Sequence, residues 1–410
     1  MTGQNNRFRT EIRFNYLILL LSAFVLTGAG PKKDGPDNTD TDGDQANDRE
    51  SGRLHTLLDE NFSLGQLEII KGEYVYEKED GTRAVMTMDP HLHGYLQGLV
   101  DRYKIPAAAV VVLNSRTGRV LAVAQRGTGD TALDSSPPAA SIFKLVTAAA
   151  LVEDTGTSPQ QRVCYSGGGS SLRMRHLADN AGKNAACTTL ARAMGSSINA
   201  VFARLSDKRL SRGVLKRYAD AFGFNNLLPF DLPVMESEAE IPEDRLERAR
   251  TAAGFWHTHL SPMHAAMIAQ AIAQRGNMLV PYMIDRVEDA DGNVVTTGEP
   301  EFLRTVMRES TAAVIRDMMK LTVTHGTAKR SFYDKRGRPF IPGGISVAGK
   351  TGTLHGTNPF RAYTWFMGFA PADKPEIAVA ALAVNSAKWR VKGPYLAREA
   401  LRRYFMNRKK

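Results

Sequence analysis

Cysteine is nearly absent. Only Cys164 and Cys187 occur in 410 residues, too few for a zinc finger or a cysteine-ligated cluster. No phosphate loop is present, because the glycines at 167–169 lack the Gly-Lys-Ser/Thr that should follow, so they read as a loop. His257, His259 and His264 lie close in sequence but have no acidic or cysteine partner at ligand spacing. They are expected in the core or on the surface, and neither a metal nor a cofactor is expected. Asp40, Asp42 and Asp44 alternate as in a calcium loop but lack its glycine and terminal glutamate. Aromatic residues make up 8% of the chain and do not interleave with basic ones. The formal charge of +10 therefore points to a membrane surface or an anionic polymer, with nucleic acid not expected as a partner. Long apolar runs are also missing. The best, YLILLLSAFVLTGAG at 16–30, falls short of the ~20 residues that a membrane span needs.

That run follows Arg7, Arg9 and Arg13, which gives residues 1–30 the form of an export signal or membrane anchor. Cleavage after the small residues 27–30 and retention as an anchor both stay open. Residues 31–50, rich in Asp, Gly, Asn and Pro, read as an acidic disordered linker. The rest is then expected outside the cytoplasm, in the periplasm or on the outer face of the membrane. An oxidising compartment lets Cys164 and Cys187 pair, which would contribute about 3 kcal/mol in the chain-entropy model. Two free thiols are the other reading. Residues 51–84 form a short N-terminal segment with a hairpin turning at Asp80-Gly81. The main domain is expected over 85–410. With 43% hydrophobic and 23% charged residues, the chain can bury a large core.

A helix is expected from Asp89-Pro90 to about Tyr103. The runs AAAVVVL (107–113) and RVLAVAQ (119–125) read as two buried antiparallel strands. Residues 136–151, SPPAASIFKLVTAAAL, read as a loop opening into a buried helix. Ser141 and Lys144 are spaced i, i+3 there and share a helix face. A hydroxyl beside an amine is one way to activate a weak nucleophile. Such a pair arises by chance on the order of once or twice in a chain this long, so the spacing decides nothing alone. Residues 152–335 show helical periodicity and little strand character. Within them Ser197-Ile198-Asn199 sits at a turn between helical pieces, where a hydroxyl and an amide can face a cleft or simply cap a helix. Ser261-Pro262 opens a further helix that ends at Gly276. Residues 344–354, GISVAGKTGTL, read as a strand in which Gly352 admits a close neighbour. Lys350, Thr351 and Thr353 there suit a carboxylate. Strands at 363–370 and 376–384 and a helix at 395–406 close the chain.

S-x-x-K, S-x-N and K-T-G each occur once, in that order. Such a set marks penicillin-binding proteins and class A β-lactamases. Over about residues 85–408 the sequence resembles the transpeptidase domain of the penicillin-binding proteins. The resemblance implies an α/β (α+β) fold: a five-stranded antiparallel sheet flanked by helices, with an all-helical part inserted. It implies Ser141 as nucleophile, Lys144 as its base, Ser197 as proton relay, and Asn199 on the substrate amide. Lys350, Thr351, Gly352 and Thr353 would bind the substrate's terminal carboxylate. The implied partners are D-Ala-D-Ala stem peptides of peptidoglycan and β-lactams as covalent inhibitors, with the membrane held through the N-terminus. D,D-transpeptidase, D,D-carboxypeptidase, β-lactamase and a silent binding module all stay open. Glu243–Glu247, EDRLE, partly matches the deacylating Glu-x-x-Leu-Asn of class A β-lactamases, but its acidic setting reads as a surface helix.

Overall fold

The structure is a computed structural model. It describes Leu58 and residues 62–407, apart from 170, 179–181, 183 and 184. The expected export segment and acidic linker lie outside the described residues. Strands β1 (Glu68–Ile70), β2 (Glu73–Glu77) and β3 (Arg83–Met86) precede helix α1 (Pro90–Arg102), β4 (Ala107–Asn114) and β5 (Val120–Arg126). A 3-10 turn at Ala140–Ile142 leads into α2 (Lys144–Thr155), followed by β6 (Arg162–Tyr165) and β7 (Ala186–Thr189). Helices α3 (Leu190–Ser196), α4 (Asn199–Arg209), α5 (Arg212–Ala221), α6 (Arg245–Ala252) and α7 (Pro262–Ala273) come next. Then follow β8 (Asn277–Val280), β9 (Ile284–Glu288), β10 (Val294–Thr297), β11 (Glu301–Thr305), α8 (Glu309–Thr324) and α9 (Lys329–Phe332). The last elements are β12 (Ala348–Thr357), β13 (Phe360–Ala370), β14 (Ile377–Asn385) and α10 (Gly393–Asn407).

The central sheet runs β12-β13-β14-β4-β5, every pair antiparallel, so both ends of the domain contribute to it. Its middle strands alternate between two cores. Ala109, Val111 and Leu113 of β4 join Ala378, Ala380 and Leu382 of β14 in one core, which also holds α7. Ala108, Val110 and Val112 join Val379, Ala381 and Ala383 in the other, beneath α1 and α10. Burial on both faces explains why these strands read as unbroken apolar runs. Helix α7 is buried along its whole length; Ser261 caps it by accepting from the His264 backbone, and Pro262 opens it.

The region from 152 to 335 differs from expectation. It is mainly helical but holds six strands, β6–β11. They are four or five residues long and mostly half-exposed, too short for their alternation to stand out. The inserted part is accordingly helical with small β-ribbons. The hairpin at Asp80-Gly81 forms with Gly81 at φ +82°, and β3 then pairs with β9 in a second sheet, β1-β2-β3-β9-β10. The boundary expected at residue 84 therefore falls inside β3, and the short N-terminal segment is part of the main body. Cys164 and Cys187 face each other across β6 and β7 and form a disulfide.

Candidate active site

Residues 137–139 are held from two sides before the chain reaches Ser141. Ala139 donates to the Thr258 carbonyl (2.9 Å), and Leu260 donates to that of Pro137 (3.0 Å). The Trp365 indole donates to the Pro138 carbonyl at 2.9 Å, tying the turn to the sheet. Ala140 then takes φ +50°, a conformation that non-glycine residues rarely adopt. Ser141 follows in the 3-10 turn, with α2 beginning at Lys144. Helix α2 is buried from Lys144 to Leu151, as the apolar run at 145–151 requires.

Lys144 is fully buried, and its Nζ has three partners. It lies 2.8 Å from Ser141 Oγ and 2.7 Å from Asn199 Oδ1, and it also meets the Ala253 carbonyl. Burial, and then the nearby charge of Lys350, push its pKa well below the ordinary lysine value. A neutral amine has two N–H donors and one lone pair. Asn199 Oδ1 and the Ala253 carbonyl can only accept, so they take the two donors and leave the lone pair for the Ser141 hydroxyl.

The S-x-N triplet is both a helix junction and a pair of site residues. Ser197 ends α3 in the left-handed conformation (φ +55°), Ile198 is extended, and Asn199 begins α4. Ser197 Oγ accepts from Lys350 Nζ at 2.9 Å. Asn199 accepts from Lys144 and donates through Nδ2 to the Gly169 carbonyl at 2.6 Å. Lys350 is fully buried; it also donates to the Thr351 carbonyl (2.8 Å), and burial lowers its pKa to about 7. Thr353 is exposed, whereas Thr351 is buried with its hydroxyl against that of Thr327. Gly352 admits a close neighbour as expected. A Cβ placed there would stand 3.2 Å from that of Trp365 and 3.3 Å from that of Ala140. All eight sequence-expected residues therefore belong to β12, the Ser141 turn with the start of α2, or the α3–α4 junction.

The sequence did not reveal three contributors. Ala253 acts through its backbone carbonyl, which no side chain announces. Thr327 follows α8, where its N–H also holds the Gly195 carbonyl (3.1 Å). Trp365 reads only as a strand residue. The three histidines have structural partners. His264 is buried, with Nε2 2.8 Å from the Phe222 carbonyl oxygen and its pKa lowered to about 4, chiefly by burial. His259 reaches the Ser136 carbonyl, and His257 reaches Glu247.

Residues 108–402 match the family described as "Penicillin binding protein transpeptidase domain". The chain belongs to this family. Among its relatives, a peptidoglycan D,D-transpeptidase PbpA of Mycolicibacterium smegmatis is 29% identical over 262 residues, covering 61% of this chain and 50% of that protein. A protein of the same name from Mycobacterium tuberculosis is 28% identical over 320 residues, covering 74% and 62%. The chain thus spans between half and about three-fifths of these relatives' length. The solved D,D-transpeptidase domain of a peptidoglycan glycosyltransferase from Eggerthella lenta superposes with a TM-score of 0.66 at 26% identity, covering 79% of this chain and 83% of that one. An imipenem acyl-enzyme of M. tuberculosis penicillin-binding protein A, 23% identical, shares the fold at a TM-score of 0.65, covering 79% of each chain.

Proposed function

We propose that this chain is a serine D,D-transpeptidase that cross-links peptidoglycan through an acyl-enzyme on Ser141. One observation carries the reading: two buried lysines each meet a serine hydroxyl in one cleft, Lys144 on Ser141 and Lys350 on Ser197. Ser141 Oγ attacks the carbonyl carbon of the penultimate D-Ala, and its proton passes to Lys144 Nζ. The C–N bond to the terminal D-Ala breaks, and Ser197 relays a proton to the departing amine, leaving an ester on Ser141. An amine of a neighbouring stem peptide attacks that ester, forms the cross-link and returns the hydroxyl proton. The backbone N–H groups of Ser141 and Thr353 form the oxyanion hole, worth roughly 3 kcal/mol per donor. The close approach of Gly352 to Ala140 supports that placement. Asn199 binds the substrate's amide. Lys350, with Thr351, Gly352 and Thr353, binds the terminal carboxylate. A β-lactam acylates the same serine, and the chemistry calls for no cofactor.

Transfer is favoured over hydrolysis by the placement of Glu243, which stands where the deacylating glutamate of Glu-x-x-Leu-Asn would be. Its side chain is 88% exposed, with Arg212 3.9 Å away, so it faces solvent rather than the buried Ser141–Lys144 pair, and Glu247, at the asparagine position, is held by Arg250 and His257. Placement outside the cytoplasm, with residues 1–30 as signal or anchor and 31–50 as tether, completes the proposal. Among the described residues, no helix is long and apolar enough to cross a membrane.

Labelled penicillin tests the reading. The protein is expected to retain the label, and Ser141→Ala to take none. Rapid release of opened antibiotic would identify a β-lactamase, and no labelling of the parent would overturn the assignment of Ser141. With a D-Ala-D-Ala peptide, product joined to an added acceptor amine is expected; free acid alone would mean a carboxypeptidase.

A further inference from the structure

Lys144 depends on two acceptors that lie on different segments. The Ala253 carbonyl follows α6, and Asn199 is braced by the Gly169 carbonyl in the loop after β6. One side chain joins those two segments. Arg250, in the last turn of α6, donates twice to the Leu172 carbonyl, from Nε at 3.2 Å and Nη2 at 2.7 Å. Leu172 is buried, three residues beyond Gly169. The backbone of the same helical turn continues into the site: the Arg250 carbonyl accepts from Phe255 (3.0 Å), and the Thr251 carbonyl accepts from Gly254 (2.8 Å), fixing the bend that presents Ala253. The third guanidinium nitrogen is taken by Glu247, whose other oxygen meets His257.

We infer that Arg250 is a positioning residue for the base: by clamping α6 to the Leu172 carbonyl, it holds both acceptors that aim the Lys144 lone pair at Ser141. The inference rests on the acyl-transfer reading and deepens it. Arg250 is not among the groups assigned to substrate. Its removal should therefore slow acylation more than it weakens non-covalent binding, to which β12 contributes besides Asn199. Misplacing a catalytic group by about 1 Å can cost on the order of 100-fold. Arg250→Ala is expected to lose roughly 10- to 100-fold in the first-order acylation constant, with a much smaller loss of affinity for penicillin. Arg250→Lys, which keeps the charge and a donor, should recover part of that loss.

The test has two arms on the full chain. Stopped-flow reaction with a labelled penicillin separates binding from acylation, and hydrogen exchange reads residues 166–178 without reference to activity. Faster exchange there in Arg250→Ala, reduced in Arg250→Lys, is expected alongside the kinetic loss. Wild-type acylation in Arg250→Ala, an equal loss in binding, or unchanged exchange would each overturn the inference. Should Arg250→Ala not fold, Glu247→Gln frees the guanidinium while retaining it, and a smaller loss confined to the acylation step is expected. A parent that takes no label would sink the acyl-transfer reading, and exchange would still decide whether Arg250 holds the loop.

Discussion

Lys144 and Lys350 bring the same side chain into one cleft, and their surroundings separate them. Lys144 sits well below its ordinary pKa because of burial and the neighbouring Lys350, whereas Lys350 titrates at about 7. The charge of Lys350 lowers Lys144 further, whereas burial alone lowers Lys350, so Lys144 suits the base and Lys350 the cation. Burying a lysine costs stability. The unfolded chain keeps the Lys350 proton up to about 10.5, the folded chain only up to about 7, so the unfolded state binds more protons between those values. Stability attributable to this group therefore rises with pH across that window, and the penalty is fully present below it. Lys350→Met should accordingly raise the melting temperature by several degrees at pH 6 and by little at pH 10, while abolishing acylation. The penalty is on the order of a few kcal/mol. A variant that melts at or below the wild-type temperature at pH 6 would contradict this account.

The turn before α2 is held in place by the elements around it. Ala140 at φ +50° persists because Gly254 and Gly352 let two segments press against it. The two glycines differ in kind. At Gly254, φ is +75° and a Cβ would lie 2.4 Å from the Ala140 carbonyl oxygen and 2.8 Å from the Ser141 Cα. At Gly352 the nearest contacts are 3.2–3.3 Å, with side-chain atoms. Gly254→Ala is therefore expected to cost about 2–3 kcal/mol in a denaturant titration and to slow penicillin labelling sharply, with Gly352→Ala costing about 1 kcal/mol. The reverse order would refute this account of the turn. These elements also show what the sequence made legible. The central strands were readable because burial on both faces leaves continuous apolar runs, and α2 because proline and alanine frame it. Ser141, Lys144 and Lys350 were readable because their chemistry requires particular side chains at particular spacings. The Ala253 carbonyl and the Gly169 brace were not, since any residue supplies a carbonyl and its direction depends on the tertiary path. Arg250 was passed over because an arginine in an acidic, amphipathic stretch looks like solvated surface.

The whole body is closed by joining its two ends. The pairing of β4 with β14 links residues far apart in the chain, and no local pattern specifies it; only the family resemblance made that topology readable. On the sheet face away from α7, α1 and α10 repeat this closure through one buried carboxylate. Glu399 accepts from Tyr95 of α1 (2.8 Å) and from Arg398 and Arg402 of its own helix (2.6 and 3.4 Å). Burial alone would raise its pKa, but the Tyr95 hydroxyl and the two guanidinium groups outweigh it and hold the carboxyl below its ordinary 4.5. The Tyr95 hydroxyl is in turn pushed up to about 12, first by burial and then by Glu399. Because the folded pKa is depressed, this contribution is present above about 4.5 and fades as the pH falls through the folded value. Glu399→Gln should therefore cost about 2 kcal/mol at pH 7, with the difference from wild type shrinking below pH 4. Tyr95→Phe should cost about 1 kcal/mol, and the double variant less than the two together, since both act on one contact. Urea titrations at pH 7 and pH 3.5 measure all four proteins. A Glu399→Gln cost independent of pH, or full additivity with Tyr95→Phe, would show that the ends are held by apolar packing alone.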